Sequence, residues 1–90
     1  MSHNITMNAI EWKRKAIKQL KKIHPTEQKN ITNAVARLAN FPDCSGVKSL
    51  INYQHSYRLR VGNYRIFFEH TDCVKVITIE EVKKRDERTY

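Results

Sequence analysis

The stretch Tyr57-Arg58-Leu59-Arg60-Val61-Gly62-Asn63-Tyr64-Arg65-Ile66-Phe67-Phe68 constrains this chain more than any other. It reads as two short strands joined by a two-residue turn, because Gly62-Asn63 tolerates the positive φ angles of tight hairpins and alternating residues flank it on both sides. With those two residues as the loop, Val61 pairs with Tyr64, Arg60 with Arg65, Leu59 with Ile66 and Arg58 with Phe67. Side chains alternate between the faces of a strand, and directly paired residues share a face. One face then carries Tyr57, Leu59, Val61, Tyr64, Ile66 and Phe68, which is a core face. The other carries Arg58, Arg60 and Arg65 beside Phe67. Like charges opposite one another on a sheet are unfavourable. Either these guanidinium groups fan apart into water, or they form a phosphate site, to which their planar forked geometry is matched.

Ninety residues predict one domain, residues 1–90, with one modest core. The apolar fraction is 40%, charged residues reach 29%, and seventeen Lys and Arg against nine Asp and Glu leave a net charge of +8. That balance favours a polyanionic partner: nucleic acid first, an anionic membrane surface second, an acidic protein third. No apolar run approaches the ~18 residues that span a bilayer, and the N-terminus lacks a signal-peptide core, so a cytoplasmic protein is expected. Cys44 and Cys73 are too few and too isolated for a disulfide framework or a zinc site, and His3, His24, His55 and His70 form no metal pattern.

Asn4 to about Glu11 shows a weak alternation that reads as a first strand. From Trp12 the period changes: Trp12, Ala16, Ile17, Leu20 and Ile23 recur at helical spacing, ending near Ile23 because Pro25 disfavours helix at His24. Pro25 suits the first turn of a second helix, with His24 or Thr26 near its start. That helix buries Ile31, Ala34, Val35 and Leu38 and ends before Phe41-Pro42. Residues 1–56 hold nine Lys or Arg against three Asp or Glu, a net of +6, whereas residues 57–90 hold eight against six. The excess sits mainly on the first helix, where Lys13, Lys18, Lys21 and Lys22 form either a solvated face or a docking face for a large polyanion.

Pro42 to His55 is a connector in which Val47 to Ile51 makes a brief extended piece. His70-Thr71-Asp72 is the next turn, and Cys73 to Ile79 is a strand apolar on both faces, which suits an interior position. The expected fold class is α+β: an N-terminal strand, a helical hairpin, then a three-strand antiparallel meander, in two layers with one open basic face. The chain closes on Lys83, Lys84, Arg85, Arg88 and Tyr90, either a solvated terminus or a set of cations and one aromatic ring suited to RNA.

This order of elements, with Tyr57 to Arg60, Gly62 to Arg65 and the tail from Lys84-Arg85 to Tyr90, resembles the RelE/ParE toxin superfamily over nearly the whole chain, the RelE branch above all. The resemblance implies a toxin of a bacterial type II toxin–antitoxin pair that is neutralised by a cognate antitoxin. RelE-like members act on the ribosome and cleave mRNA in the A site, without metal or other cofactor, by attack of a ribose 2′-hydroxyl on the adjacent phosphate. On that pattern Arg58 and Arg60 stand where lysines are common. Arg65 follows the hairpin's second tyrosine, Arg85 serves the leaving oxygen, and Tyr90 stacks on a base. Lys83, Lys84, Arg88 and the helix lysines would add RNA contacts. The general base stays open, because arginine hardly releases its proton: it is His55, Glu69 or none, since a missing base costs ~10²- to 10⁴-fold and need not abolish cleavage. Two other readings stand beside this one: a ParE-like poison of DNA gyrase, and a basic module that binds RNA without cutting it.

Overall fold

The structure, a computed structural model, describes residues 7–85. Its centre is the hairpin. β3 (Tyr57–Val61) and β4 (Tyr64–Thr71) pair as the Gly62-Asn63 turn requires, with Val61 opposite Tyr64, Arg60 opposite Arg65, Leu59 opposite Ile66 and Arg58 opposite Phe67. Gly62 has φ 57°, a backbone conformation that costs a side-chain-bearing residue more than glycine. β5 (Val76–Lys84) pairs antiparallel with β4 along nearly its whole length, so the three strands form the expected meander.

Two further strands extend the sheet to five. β1 (Ala9–Trp12) lies parallel to the first half of β5, from Ala9 opposite Val76 to Trp12 opposite Ile79, and β2 (Val47–Ser49) pairs antiparallel with β3. The order across the sheet is β1-β5-β4-β3-β2. β5 is therefore interior, as its apolar run predicts. β1 stops at Trp12, leaving the second half of β5 with an unpaired edge. There α1 (Arg14–Lys21) takes over: the Val82 N–H donates to Gln19 Oε1 at 2.7 Å, so a side chain satisfies a ladder donor that would otherwise lack a partner.

α2 (Pro25–Ala36) begins as the sequence indicates, with Pro25 in the first turn and His24 as N-cap, its Nδ1 accepting from the Thr26 N–H at 3.2 Å. Ile31, Ala34, Val35 and Leu38 are buried and pack with Ala16 against Leu59, Tyr64, Ile66 and Phe68 of the hairpin and Ile77, Ile79 and Val82 of β5. At this interface the Tyr64 hydroxyl donates to Glu27 Oε1 at 3.1 Å; burial and that bond push its pKa up. Buried Asn8 ties the start of β1 to the turn after α2, donating from Nδ2 to the Phe41 carbonyl at 3.0 Å, while its Oδ1 faces His70 Nε2 at 3.1 Å.

Several expectations shift. The first strand lies at Ala9–Trp12 rather than Asn4 to Glu11, and residues 4–6 fall outside the described region. Trp12 belongs to this strand, not to the helix, which spans Arg14–Lys21. Ile17, expected on the buried stripe, is 37% exposed, because α1 flanks the edge of β5 and needs only a narrow apolar strip. β4 runs through Thr71, the turn is a single 3-10 turn at Asp72–Val74, and left-handed Lys75 (φ 54°) leads into β5. Cys73 and Val74 are thus exposed turn residues, and both cysteines are free.

The helix layer yields a direct test of this packing. Leu38→Ala removes a fully buried side chain and is expected to cost roughly 2–5 kcal/mol in urea unfolding, whereas Ile17→Ala should stay within about 0.5 kcal/mol. Equal losses at the two positions would show that α1 packs with a different face inward.

Candidate nucleic-acid interface

The pairing registers turn the face away from the helices into rows of side chains. One row crosses three strands as Arg60, Arg65 and Lys83, and the next as Arg58, Phe67 and Glu81, flanked on β2 by Lys48. All three hairpin arginines therefore share one face, and Lys83 joins them. Lys84 pairs with Tyr64 and so points to the helix side, correcting its expected place beside Lys83. Arg85 follows directly, and its N–H donates to the Asn63 carbonyl, tying the start of the tail to the hairpin turn. Arg88 and Tyr90 lie outside the described residues.

The face is less open than the sequence suggests. Segment 50–56 folds back over it and covers Phe67, which is only 4% exposed although it lies on the side opposite the core. Tyr53 stacks on Phe67 with ring centres 5.4 Å apart and 24° between planes, and the His55 ring lies 5.4 Å from Phe67. Two acids of the sheet fasten this segment. Glu69 Oε2 accepts from the Ser56 N–H at 3.0 Å, and Glu81 Oε2 lies 2.8 Å from His55 Nε2 and accepts from Gln54 Nε2 at 3.2 Å.

Glu81 is not among the residues the sequence marks, yet it is the most perturbed group on the face. Its carboxylate is buried, which by itself would raise the pKa; the hydrogen bond from His55 and the ammonium groups of Lys83 (3.7 Å) and Lys15 (3.4 Å) outweigh that and hold it down to about 2, against an ordinary 4.5. An ionised carboxylate only accepts, so His55 Nε2 carries a proton. Nδ1 then faces Glu69 Oε2 at 3.7 Å. The two general-base candidates, His55 and Glu69, thus stand side by side.

Among the α1 cations, Lys15 reaches an acid of this face, Glu81, although the sequence pattern does not distinguish it from its neighbours. Lys13 is engaged by Glu80 at 3.1 Å, Lys18 and Lys22 line a shallow cleft along α1 with Arg14 and Gln19, and Lys21 is exposed. A concavity of about 630 Å³ lies elsewhere, between α2 and segment 43–46, and borders the arginine rows at Arg60. Among the described residues, no group of three or more His, Cys, Asp or Glu is placed to hold a metal ion, and no helix is long and apolar enough to cross a membrane.

The low pKa of Glu81 implies a pH dependence of known sign. A carboxyl depressed in the folded state contributes stability that is full above its unfolded pKa near 4.5 and is lost as pH falls toward 2. Two and a half pKa units correspond to roughly 3 kcal/mol. Urea unfolding at pH 6 and pH 3 should show Glu81→Gln losing markedly less stability on acidification than the parent. The Asp72–Lys75 contact is common to both proteins and cancels in the comparison. Parallel curves would remove Glu81 as the source.

A family model described as the ParE toxin of the type II toxin–antitoxin system parDE matches residues 10–89. No curated protein matches the chain. Among solved structures, it is similar to the RelBE2 toxin–antitoxin complex from Mycobacterium tuberculosis (20% identity, TM-score 0.76, covering 88% of this chain and 99% of that one). It is likewise similar to the archaeal RelE–RelB complex from Pyrococcus horikoshii OT3 (21%, 0.76, 90% and 98%) and to the isolated RelE toxin of E. coli (15%, 0.75, 91% and 88%). At these identities the structural likeness speaks for the fold. With the family model spanning all but the first nine residues and the last, the chain belongs to the ParE toxin family of type II toxin–antitoxin systems, within the RelE/ParE toxin superfamily.

Proposed function

We propose that this toxin is a ribosome-dependent endoribonuclease that cleaves mRNA in the A site and thereby stops translation in the cytoplasm. The observation that carries the reading is the row Arg60–Arg65–Lys83, with Arg58 in the adjacent row, on the face the helices leave uncovered. In the reaction a ribose 2′-hydroxyl attacks the neighbouring phosphorus, the new O2′–P bond forms, and the P–O5′ bond breaks. The products are a 2′,3′-cyclic phosphate and a free 5′-hydroxyl. The phosphorane-like transition state gains negative charge on its oxygens, and preorganised guanidinium groups oppose that charge more strongly than they bind the ground state. Holding the 2′-hydroxyl in line with the leaving oxygen contributes further, and the ribosome helps to hold it.

Proton movement is shared between two ends of the site. The 2′-hydroxyl proton passes to the pair formed by His55 Nδ1 and Glu69, 3.7 Å apart. Arg85 stabilises the negative charge that builds on the leaving oxygen, which takes its proton from water, and Tyr90 stacks on a base beside the cut. A cognate antitoxin is the expected partner, since the similar structures include RelE toxins solved with their antitoxins. The net charge of +8 suits an acidic partner, which would neutralise the toxin by covering this face or displacing its tail.

A second reading has its own support: the matching family model is that of ParE, and a ParE-like protein would poison DNA gyrase with no nuclease step. One pair of assays separates the two. Added to a translation reaction, the purified protein should produce cuts in ribosome-bound mRNA with the termini given above. Arg65→Ala or Arg85→Ala should slow cleavage by ~10²- to 10³-fold with the fold intact. Intact mRNA, together with trapped gyrase–DNA breaks in a supercoiling assay, would replace the nuclease with the gyrase reading.

A further inference from the structure

Tyr53 has a setting that base recognition by the tail does not use. It is 51% exposed, yet it is not a loose surface ring. One of its faces lies on Phe67, whose ring sits in the sheet row between Arg58 and Glu81 and directly beside the row Arg60–Arg65–Lys83. Its loop is held just beyond it: Gln54 and His55 bond to Glu81, the Ser56 N–H bonds to Glu69, and the Leu50 N–H closes the loop on the Ser56 carbonyl at 2.9 Å. The ring is thus presented in a fixed orientation next to a phosphate-binding row, with half of its surface left to solvent.

We propose that Tyr53 is a base-stacking residue, continuing the Phe67–Tyr53 stack with a nucleobase of single-stranded RNA whose backbone runs along Arg60, Arg65 and Lys83. Any base has a π-face, so the contact positions the strand without selecting its sequence, and the fastened loop means little side-chain freedom remains to be lost on binding. Charge complementarity decides the occupant: the neighbouring rows hold three arginines and a lysine against one carboxylate, Glu81, which His55 and Lys15 already engage, and a nucleotide offers a planar ring and an anion at one repeat. The inference rests on the RNA-directed reading of the face, not on cleavage.

The test is therefore a binding measurement without ribosomes. The full chain carrying Arg85→Ala is titrated into a fluorescently tagged oligoadenylate of about six nucleotides, and into a matching oligomer with abasic sites. Tyr53→Ala should weaken binding of the oligoadenylate by about 10-fold, the equivalent of ~1–3 kcal/mol per stacked base. Tyr53→Phe should keep the parental affinity, and Tyr53→Leu, which still covers Phe67, should not. On abasic RNA the differences should vanish. The salt dependence of binding should be the same in Tyr53→Ala as in the parent, whereas Arg60→Ala should flatten it. Full affinity in Tyr53→Ala, recovery in Tyr53→Leu, or no binding of oligoadenylate by the parent would each overturn the proposal. If binding depends on Tyr53 but mRNA is never cut, the nuclease reading fails and the stacking role stands. Cleavage with Tyr53-independent binding gives the converse.

Discussion

The structure depends on the pairing of Arg60 with Arg65. A residue in a strand has two faces to choose from, and once the Gly62-Asn63 turn sets the register, six apolar or tyrosine side chains go to one side and the arginines must share the other. Slipping the register by one residue would relieve the crowding only by turning Leu59, Tyr64, Ile66 and Phe68 out of the core. Two unit charges about 5 Å apart repel by about 3 kcal/mol at the effective dielectric near a protein surface, and by about half as much if their side chains splay to ~10 Å. Burial of the core face outweighs that repulsion. The sheet therefore tolerates the positive row.

The same face holds two acids, buried Glu81 and half-buried Glu69, where the sequence promised an open basic surface. Glu81 and Glu69 bond to His55, Gln54 and the Ser56 amide, and Glu81 also faces Lys83 of the row at 3.7 Å. A desolvated carboxylate is costly unless it is bonded and opposed by positive charge, and Glu81 has both, from His55, Lys15 and Lys83. The face is thereby polarised along the strands. His55, Glu69 and the aromatic loop occupy one region, and Arg60, Arg65 and Lys83 occupy the other.

What was legible in the chain follows the same physics. The hairpin register, the two faces and the buried set of α2 could be read because period and turn chemistry act locally. The second half of β5 was nearly legible: Ile77 and Ile79 keep step, but the next core residue is Val82, and this change of phase marks the irregularity that sets Phe67 opposite Glu81 while Phe68 faces Ile79. That shift in the apolar pattern would have put Glu81 on the arginine face. The loop covering Phe67 was not legible, because what holds it comes from residues 13 and 26 positions away along the chain. The displacement of Trp12 into β1 was hidden for a related reason, since a parallel pairing with β5 is a long-range contact that leaves little trace in local spacing.

A fold shared by gyrase poisons and ribonucleases does not decide between them, and the feature that bears on the choice is the arrangement of charge. Lysines on a solvated helix such as α1 could serve either partner, for each is a polyanion or binds one. A row of cations at successive strand positions is more demanding, because it fixes their spacing to that of the sheet and offers several donors to one phosphodiester. The tail strengthens this distinction. β4 and β5 stay in register up to Tyr64 opposite Lys84, and the Arg85 N–H continues the ladder to the Asn63 carbonyl, so Arg85 emerges at the same end of the sheet as Arg60 and Arg65. Four cations from three strands and one strand terminus thus meet around the hairpin turn. Lys83 also reaches Glu81 at 3.7 Å, so the row is joined to the carboxylate beneath the 50–56 loop.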